Sequence, residues 1–282
     1  MNALGIDVGG TFAKLALVNP KGRVLKSAQI PTEPRKGPAH FVKRVKAATA
    51  GWGHRRVGIA LAGGVDHAQG SLLFVPNLPG WIGYRFKTAF GLPTVVENDA
   101  NAAAWAAARG RRSAIVITLG TGVGGGIICD GKLWRGATGS AGEIGHMVIT
   151  VGGEPCGCGR FGCLEAYCGT AGIQRLAGRR VTPKELADAA RAGDAAASDV
   201  WESVGTKLGE GIANLVLIYD PEAVYILGGV ARAGELLLAP ARRVLDAQPF
   251  RRPFKKLKLL APADRDWGAL GAALLALEGA RR

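Results

Sequence analysis

The 282 residues of this chain, 29.2 kDa in mass, suffice for one large domain or two smaller ones with their own cores, which excludes a peptide or a disulfide-stapled mini-protein. With 48% hydrophobic and 21% charged residues the composition is globular rather than disordered, and 36 Lys+Arg against 22 Asp+Glu leave a net charge of +14, which suits a polyanion only where the charge gathers on one face. The 43 glycines have no collagen-like period and cluster at a few places, which points to tight turns and close backbone approaches.

From the N-terminus, Leu4 to Val8 predicts a strand, Gly9-Gly10-Thr11 breaks it, Phe12 to Val18 resumes it, and Asn19-Pro20-Lys21-Gly22 turns into a strand over Arg23 to Ile30. A basic helix around Ala39 to Ala50, a buried strand Val57 to Leu61, a strand Thr94 to Glu97 and an Ala-rich helix Asp99 to Arg109 come next. The opening pattern then returns: Ser113 to Leu119, a break at Gly120-Thr121-Gly122, Gly124 to Cys129, and a turn at Asp130-Gly131 into Lys132-Leu133-Trp134. A repeated Gly-Thr hairpin implies two similar halves, each offering backbone N–H groups at a tight turn. Thr182-Pro183-Lys184-Glu185 opens a helix with a cap and a first-position proline, and Asp199 to Ile218 has the length and spacing of a long buried helix. Ala223 to Leu227 reads as a strand ending in Gly228-Gly229 and followed by a helix, Leu257 to Leu260 as a strand and Trp267 to Leu277 as a closing helix. The sum is an α/β chain of two halves flanking a cleft: residues 1–110, joined by the C-terminal helix at about 267–282, and a larger part, 111–266, with a metal-binding loop at 146–163.

The start of the chain lacks a basic leader and no long apolar stretch runs unbroken, so a cytoplasmic protein that spans no membrane is expected. Basic residues dominate segments 21–56 and 241–260, where Glu33 and Asp246 are the lone acids; such runs are most often solvated faces.

Gly120-x-Gly122-x-x-Gly125 matches the dinucleotide fingerprint formally, but a hairpin follows where that fingerprint needs a helix, and no Gly-x4-Gly-Lys-Ser/Thr is present. Neither a Rossmann site nor a P-loop is expected. The Gly-Thr turns are either ordinary hairpins or a facing pair that holds a polyphosphate, with Asp7 beside a bridging Mg²⁺, and their duplication favours the pair. Glu97-Asn98-Asp99-Ala100-Asn101 also reads two ways. It is a helix N-cap, or it places a carboxylate where a sugar hydroxyl attacking a phosphoryl group can give up its proton. His146 with Cys156, Cys158 and Cys163 supplies one imidazole and three thiolates, a closed structural zinc set, against the alternatives of a free-thiol turn or a redox pair. Zinc there would pin the loop and bring Glu143 and Glu165 near the metal. Cys129 and Cys168 read as small buried hydrophobes.

Taken together, Asp7-Val8-Gly9-Gly10-Thr11, Glu97-Asn98-Asp99-Ala100-Asn101, Leu119-Gly120-Thr121-Gly122-Val123-Gly124-Gly125-Gly126, Gly142-Glu143-Ile144-Gly145-His146, the run Cys156 to Glu165 and Leu227-Gly228-Gly229 resemble the ROK family, named for repressors, open-reading frames and kinases. Its kinases are bacterial sugar kinases of the actin-like ATPase (ribonuclease H-like) fold. The resemblance implies ATP with Mg²⁺ at the two glycine hairpins (Asp7, Gly9, Gly10 and Thr11; Gly120, Thr121 and Gly122), with Gly228 and Gly229 near the nucleoside. It implies a hexose held by Asn98, Asp99, Glu143, His146 and Glu165, with Asp99 as the base for the 6-hydroxyl and His146 serving both zinc and sugar. Ala62-Gly63-Gly64 stands where the family has a proline-glycine turn near the sugar, which assigns Gly63 to that pocket, and the loop between His146 and Cys156 is short for the family. Glucose is the expected substrate; N-acetylglucosamine, N-acetylmannosamine and fructose share the hydroxyls these residues would bind. Polyphosphate is the alternative donor that the basic segments suggest. A sugar-responsive transcriptional regulator is disfavoured, since the first strand begins at Leu4 with no helix-turn-helix ahead of it, and nucleic acid is not an expected partner. A homodimer is implied.

Overall fold

A computed structural model describes residues 1–75 and 78–279; residues 280–282 of the segment expected at about 267–282 lie outside the described residues. The chain divides into two compact units, one of Met1–Arg109, Leu133–Ala141 and the chain from Arg265, the other of Gly110–Lys132 and Gly142–Asp264. Residues 133–141 thus group with the first unit and not with 111–266, a difference from the expected boundary that no local sequence signal marks.

In the first stretch of chain lie β1 (Asn2–Val8), β2 (Phe12–Val18), β3 (Val24–Pro31), α1 (Pro38–Ala48), β4 (His54–Leu61), β5 (Gly64–Asp66), β6 (Ser71–Phe74), α2 (Phe86–Ala89), β7 (Thr94–Asn98) and α3 (Asp99–Ala107). Then come β8 (Ala114–Leu119), β9 (Val123–Cys129), β10 (Lys132–Trp134), α4 (Glu165–Cys168), α5 (Thr170–Leu176), α6 (Pro183–Arg191), α7 (Ala195–Tyr219), β11 (Ala223–Leu227), α8 (Glu235–Asp246), β12 (Lys258–Leu260) and α9 (Trp267–Glu278).

The sequence repeat is a repeat of sheets. One sheet has the order β3-β2-β1-β4-β7 and the other β10-β9-β8-β11-β12. In each, a glycine turn makes the first two strands antiparallel (β1 with β2, β8 with β9), and helical crossovers make the next two parallel (β1–β4–β7, β8–β11–β12). Interior β11 is buried throughout, as is β4 from Val57 to Leu61, and both are continuous apolar runs, as strands covered on both faces must be.

In the first unit Leu4, Ile6 and Ile59 pack on the tilted stack of Phe41, Trp81 and Phe86, with ring centroids 5.2 and 5.7 Å apart. The other face is covered by α9, whose Ala269, Leu270 and Ala273 meet Ala3 and Ala16. Small residues are required there. A Cβ on Gly5 or Gly58 would lie 1.8 Å from the carbonyl oxygen of Ala269 or Ala272, and a backbone oxygen cannot step aside as a side chain can. Gly58→Ala is therefore expected to cost about 3 kcal/mol, the upper end of ordinary overpacking. Denaturant titration of the variant checks this, and an unchanged midpoint would show that the helix floats on the sheet. The second unit's core forms where α7 lays Trp201, Leu208 and Ile212 against Ile115, Ile117, Val224 and Ile226.

Local signals set the helix ends well. Thr182 and Glu185 form a reciprocal capping box at α6, and Asp194 caps α7 by accepting from Ala197 N at 3.0 Å. The hairpin β5–β6 and the short α2, α4 and α5 lie outside the expected elements, being too brief for periodicity to register. Cys168 is buried as expected, whereas Cys129 is only half-buried. Among the described residues no helix is long and apolar enough to cross a membrane.

Candidate active site

In the first unit, register carries the site. Val8 pairs with Leu61 and Leu61 with Asn98, so β1, β4 and β7 end together, and the Gly9-Gly10-Thr11 turn, Gly63 and Asn98-Asp99 follow directly from that common carboxyl edge. Ligands of open α/β sheets bind at such edges. The row below runs Asp7, Ala60, Glu97, and equal register puts the two carboxylates on the same face.

Glu97 is fully buried and accepts from five donors. Oε1 takes His67 Nε2 at 2.9 Å, Asn98 N at 3.0 Å and Asn101 Nδ2 at 3.2 Å; Oε2 takes Arg135 through Nε at 2.8 Å and a terminal nitrogen at 2.7 Å. Burial alone would raise its pKa, but the His67 hydrogen bond and the Arg135 charge outweigh burial and hold it below the ordinary glutamate value. Through Asn98 N and Asn101 Nδ2 the charged Glu97 anchors the first turn of α3. Asn98 caps that helix by accepting from Asn101 N at 3.0 Å and donates to the Gly63 carbonyl at 3.1 Å. Gly63 adopts φ +113°, and a Cβ there would sit 2.1 Å from the Phe74 carbonyl oxygen, so only glycine fits.

Asp99 starts α3 with its Oδ1 accepting from Ala100 N at 2.8 Å, yet burial raises its pKa above the ordinary aspartate value. Asp7 is raised too, up to about 7, by burial first and then by the Asp99 carboxylate; Lys14 pulls the other way and Asp266 adds to the rise. Lys14 is itself paired with Asp266 at 2.8 Å, and the Asp7 carboxyl lies against Gly268, where a Cβ would come within 2.7 Å of it. The Lys14 charge offsets that rise only in part, and a divalent ion at Asp7 would fit what remains.

The second unit repeats the edge. Gly228 at φ +94° closes β11 so tightly that a Cβ would stand 2.2 Å from the Leu119 carbonyl oxygen, which sets Gly228-Gly229 beside the Gly120-Thr121-Gly122 turn. Both glycine turns are fastened alike, by a threonine hydroxyl donating to the first glycine's carbonyl: Thr32 to Gly9 at 2.7 Å and Thr170 to Gly120 at 2.8 Å. Gly9, Gly10, Thr11 and Thr121 are exposed. The turn in the second unit has a further brace, Glu165, whose Oε2 accepts from Val123 N at 2.9 Å.

The His146, Cys156, Cys158 and Cys163 donor atoms all lie within 4.8 Å of one another. Two of the separations, 3.7 Å from Cys156 Sγ to His146 Nδ1 and 3.8 Å from Cys158 Sγ to Cys163 Sγ, match the ~3.8 Å edge of a tetrahedron with metal–sulfur bonds of ~2.3 Å. The loop reaches this shape by a turn in which Gly159 N donates to Cys156 O and by pairing of Val148 with Cys163. His146 presents Nδ1 to the cluster, while its Nε2 lies 4.0 Å from the exposed Glu143 carboxylate; Glu165 Oε1 is also 4.0 Å from Nδ1. One imidazole can thus serve a metal with one nitrogen and a second partner with the other.

Within each unit the expected residues come together: Asp7, Gly9, Gly10, Thr11, Gly63, Asn98 and Asp99 in the first, and Gly120 to Gly122, Glu143, His146, the three cysteines, Glu165, Gly228 and Gly229 in the second. Sequence reasoning missed His67, Arg135, Thr32 and Thr170. Each acts on a residue far away in sequence, and only the polar type of the side chain hints at it.

The ROK family model matches residues 3–279. The glucokinase of Halalkalibacterium halodurans is 34% identical over 96% of this chain and 94% of its own length, and the N-acetylmannosamine kinase of Salmonella typhi is 34% identical over 98% of each. Among solved structures, a ROK family glucokinase from Streptomyces griseus in complex with glucose and AMPPNP is 36% identical, superposes with a TM-score of 0.84, and is matched over 99% of this chain and 100% of that one.

Proposed function

Because the chain belongs to the ROK family, we propose that it is an ATP-dependent hexose kinase that transfers the γ-phosphoryl group to the 6-hydroxyl of glucose. The observation that carries this is Asp99, a carboxyl raised above its ordinary pKa by burial and set at a strand's carboxyl edge, directly after the Glu97 and Asn98 that anchor and cap the helix it starts. A base of that kind can accept the 6-hydroxyl proton as the oxygen attacks phosphorus. The proposed hexose contacts are Gly63, Asn98, Asp99, Glu143, His146 and Glu165. Gly9, Gly10 and Thr11, and Gly120, Thr121 and Gly122, offer backbone N–H groups and hydroxyls to the phosphates, with Gly228 and Gly229 on the nucleoside side. Asp7 would hold a Mg²⁺ whose charge would offset that of the phosphates.

Zinc fits the His146, Cys156, Cys158, Cys163 set, and its place is structural, since four protein donors leave no open position. Elemental analysis is expected to return one zinc per chain, and stripping it to lower both thermal midpoint and activity; metal-free protein with both unchanged would overturn this assignment. A cytoplasmic homodimer working in carbohydrate metabolism completes the proposal, with sedimentation to check the assembly.

The Salmonella relative favours a second substrate, N-acetylmannosamine. A coupled assay over glucose, N-acetylmannosamine, N-acetylglucosamine and fructose, with ATP, GTP or polyphosphate as donor, decides both questions. Glucose with ATP is expected to give the highest kcat/KM; turnover confined to an N-acetylated sugar, or to polyphosphate, would replace it.

A further inference from the structure

The segment that leaves the metal loop runs straight into the braces of the second glycine turn. Cys163 is a donor of the cluster, and Leu164 N donates to Met147 O at 2.9 Å, next to His146. Two residues after Cys163, Glu165 splits its carboxylate: Oε2 accepts from Val123 N, directly after the Gly120-Thr121-Gly122 turn, while Oε1 lies 3.4 Å from Cys156 Sγ. The fit is close, since a Cβ on Gly122 would stand 2.3 Å from Glu165 Oε2. Five residues further on, Thr170 grips the other end of the turn, with its N and Oγ1 donating to the Gly120 carbonyl at 3.0 and 2.8 Å. Residues 163–170 therefore tie the metal donors to both ends of the turn, all within one unit.

From this continuity we infer that Glu165 and Thr170 are positioning residues through which the order of the metal loop sets the shape of the nucleotide turn, so that metal and nucleotide bind cooperatively. The inference rests on the reading of Gly120-Thr121-Gly122 as a phosphate turn. Loop and turn have separate ligands but a common brace: a loop relaxed by metal loss frees Glu165, leaves Val123 N without its partner, and lets the turn open. Linkage makes the effect reciprocal, since whatever factor the metal contributes to nucleotide affinity the nucleotide must return to metal affinity.

The test times release of zinc from the intact protein to a chromogenic chelator, with and without saturating ADP, beside calorimetric titration of ADP. In the wild-type chain ADP is expected to slow release at least fivefold, the lower end of ordinary coupling. Thr170→Val, which removes only the hydroxyl, is expected to weaken both ADP binding and protection; Thr170→Ser restores them, and Glu165→Ala abolishes protection. ADP that binds by calorimetry yet leaves release unchanged would overturn the coupling while sparing the nucleotide site. Protection that survives intact in Thr170→Val and Glu165→Ala would also overturn it, because ADP would then act through global stability. Failure of ADP to bind the zinc-loaded wild-type chain would remove both the coupling and the reading beneath it.

Discussion

Asp99→Asn is expected to lower kcat by roughly 10²–10⁴, the usual worth of a general base, while glucose affinity stays within a few-fold of wild type. The substitution is nearly isosteric, and the amide oxygen can still accept from Ala100 N, where Asp99 Oδ1 now sits 2.8 Å away. The cap on α3 is untouched, because it belongs to Asn98. What disappears is the proposed acceptor for the 6-hydroxyl proton. Burial raises the Asp99 pKa, so its charged form is favoured only above the ordinary aspartate range. In the wild-type chain kcat/KM is expected to fall as pH drops through that raised value, and in Asp99→Asn the acid limb that remains is expected to be the one set by Asp7. Initial rates across pH, with calorimetric glucose titration as the binding control, measure both. A variant that keeps more than about a hundredth of wild-type turnover would remove Asp99 from the role of base.

How far such roles can be read in advance depends on how far apart the interacting residues lie in sequence. The duplicated Gly-Thr hairpin predicts the duplicated sheet because strand, turn and strand are contiguous. The His/Cys cluster is equally legible, since Cys156, Cys158 and Cys163 lie within one short loop and His146 only ten residues before it. Asp99 is locally ambiguous, because a strand end followed by Asn-Asp suits a cap as well as a base; in the structure Asn98 is the cap, which leaves the Asp99 carboxylate for other work. The supports, by contrast, leave no trace in the chain's periodicity. Arg135 reaches Glu97 across 38 residues, Thr170 reaches Gly120 across 50 and Glu165 reaches Val123 across 42. The basic segments resolve the same way. Glu33 gathers Lys36, His40 and Arg44, while Arg242 and Arg243 pair with Glu235 and Glu202. Four of the seventeen basic residues of these two segments, Lys36, Arg44, Arg242 and Arg243, are thus paired with acids.

Asp7→Asn is expected to do two opposite things: abolish phosphoryl transfer and stabilise the fold at alkaline pH. Burial and the neighbouring Asp99 move Asp7 from an ordinary 3.8 up to about 7, so between those values the native chain holds a proton that the unfolded chain has released. Native stability must therefore fall as pH rises through this window, with the favourable contribution complete below pH 3.8 and gone above about 7. At 1.36 kcal/mol per pH unit the displacement corresponds to about 4 kcal/mol, an upper bound because the native site can relax around the charge. Asparagine is a permanently neutral copy of the protonated acid. Its gain over wild type in metal-free, nucleotide-free protein is expected to be under about 1 kcal/mol at pH 4 and to approach 4 kcal/mol by pH 8. Denaturant titrations at the two pH values read the difference, and equal gains at both would mean that Asp7 ionises normally. A destabilising functional carboxylate is intelligible if a cation is what it awaits: Mg²⁺ would supply the missing charge, and the asparagine variant, though more stable, would hold it too weakly to act.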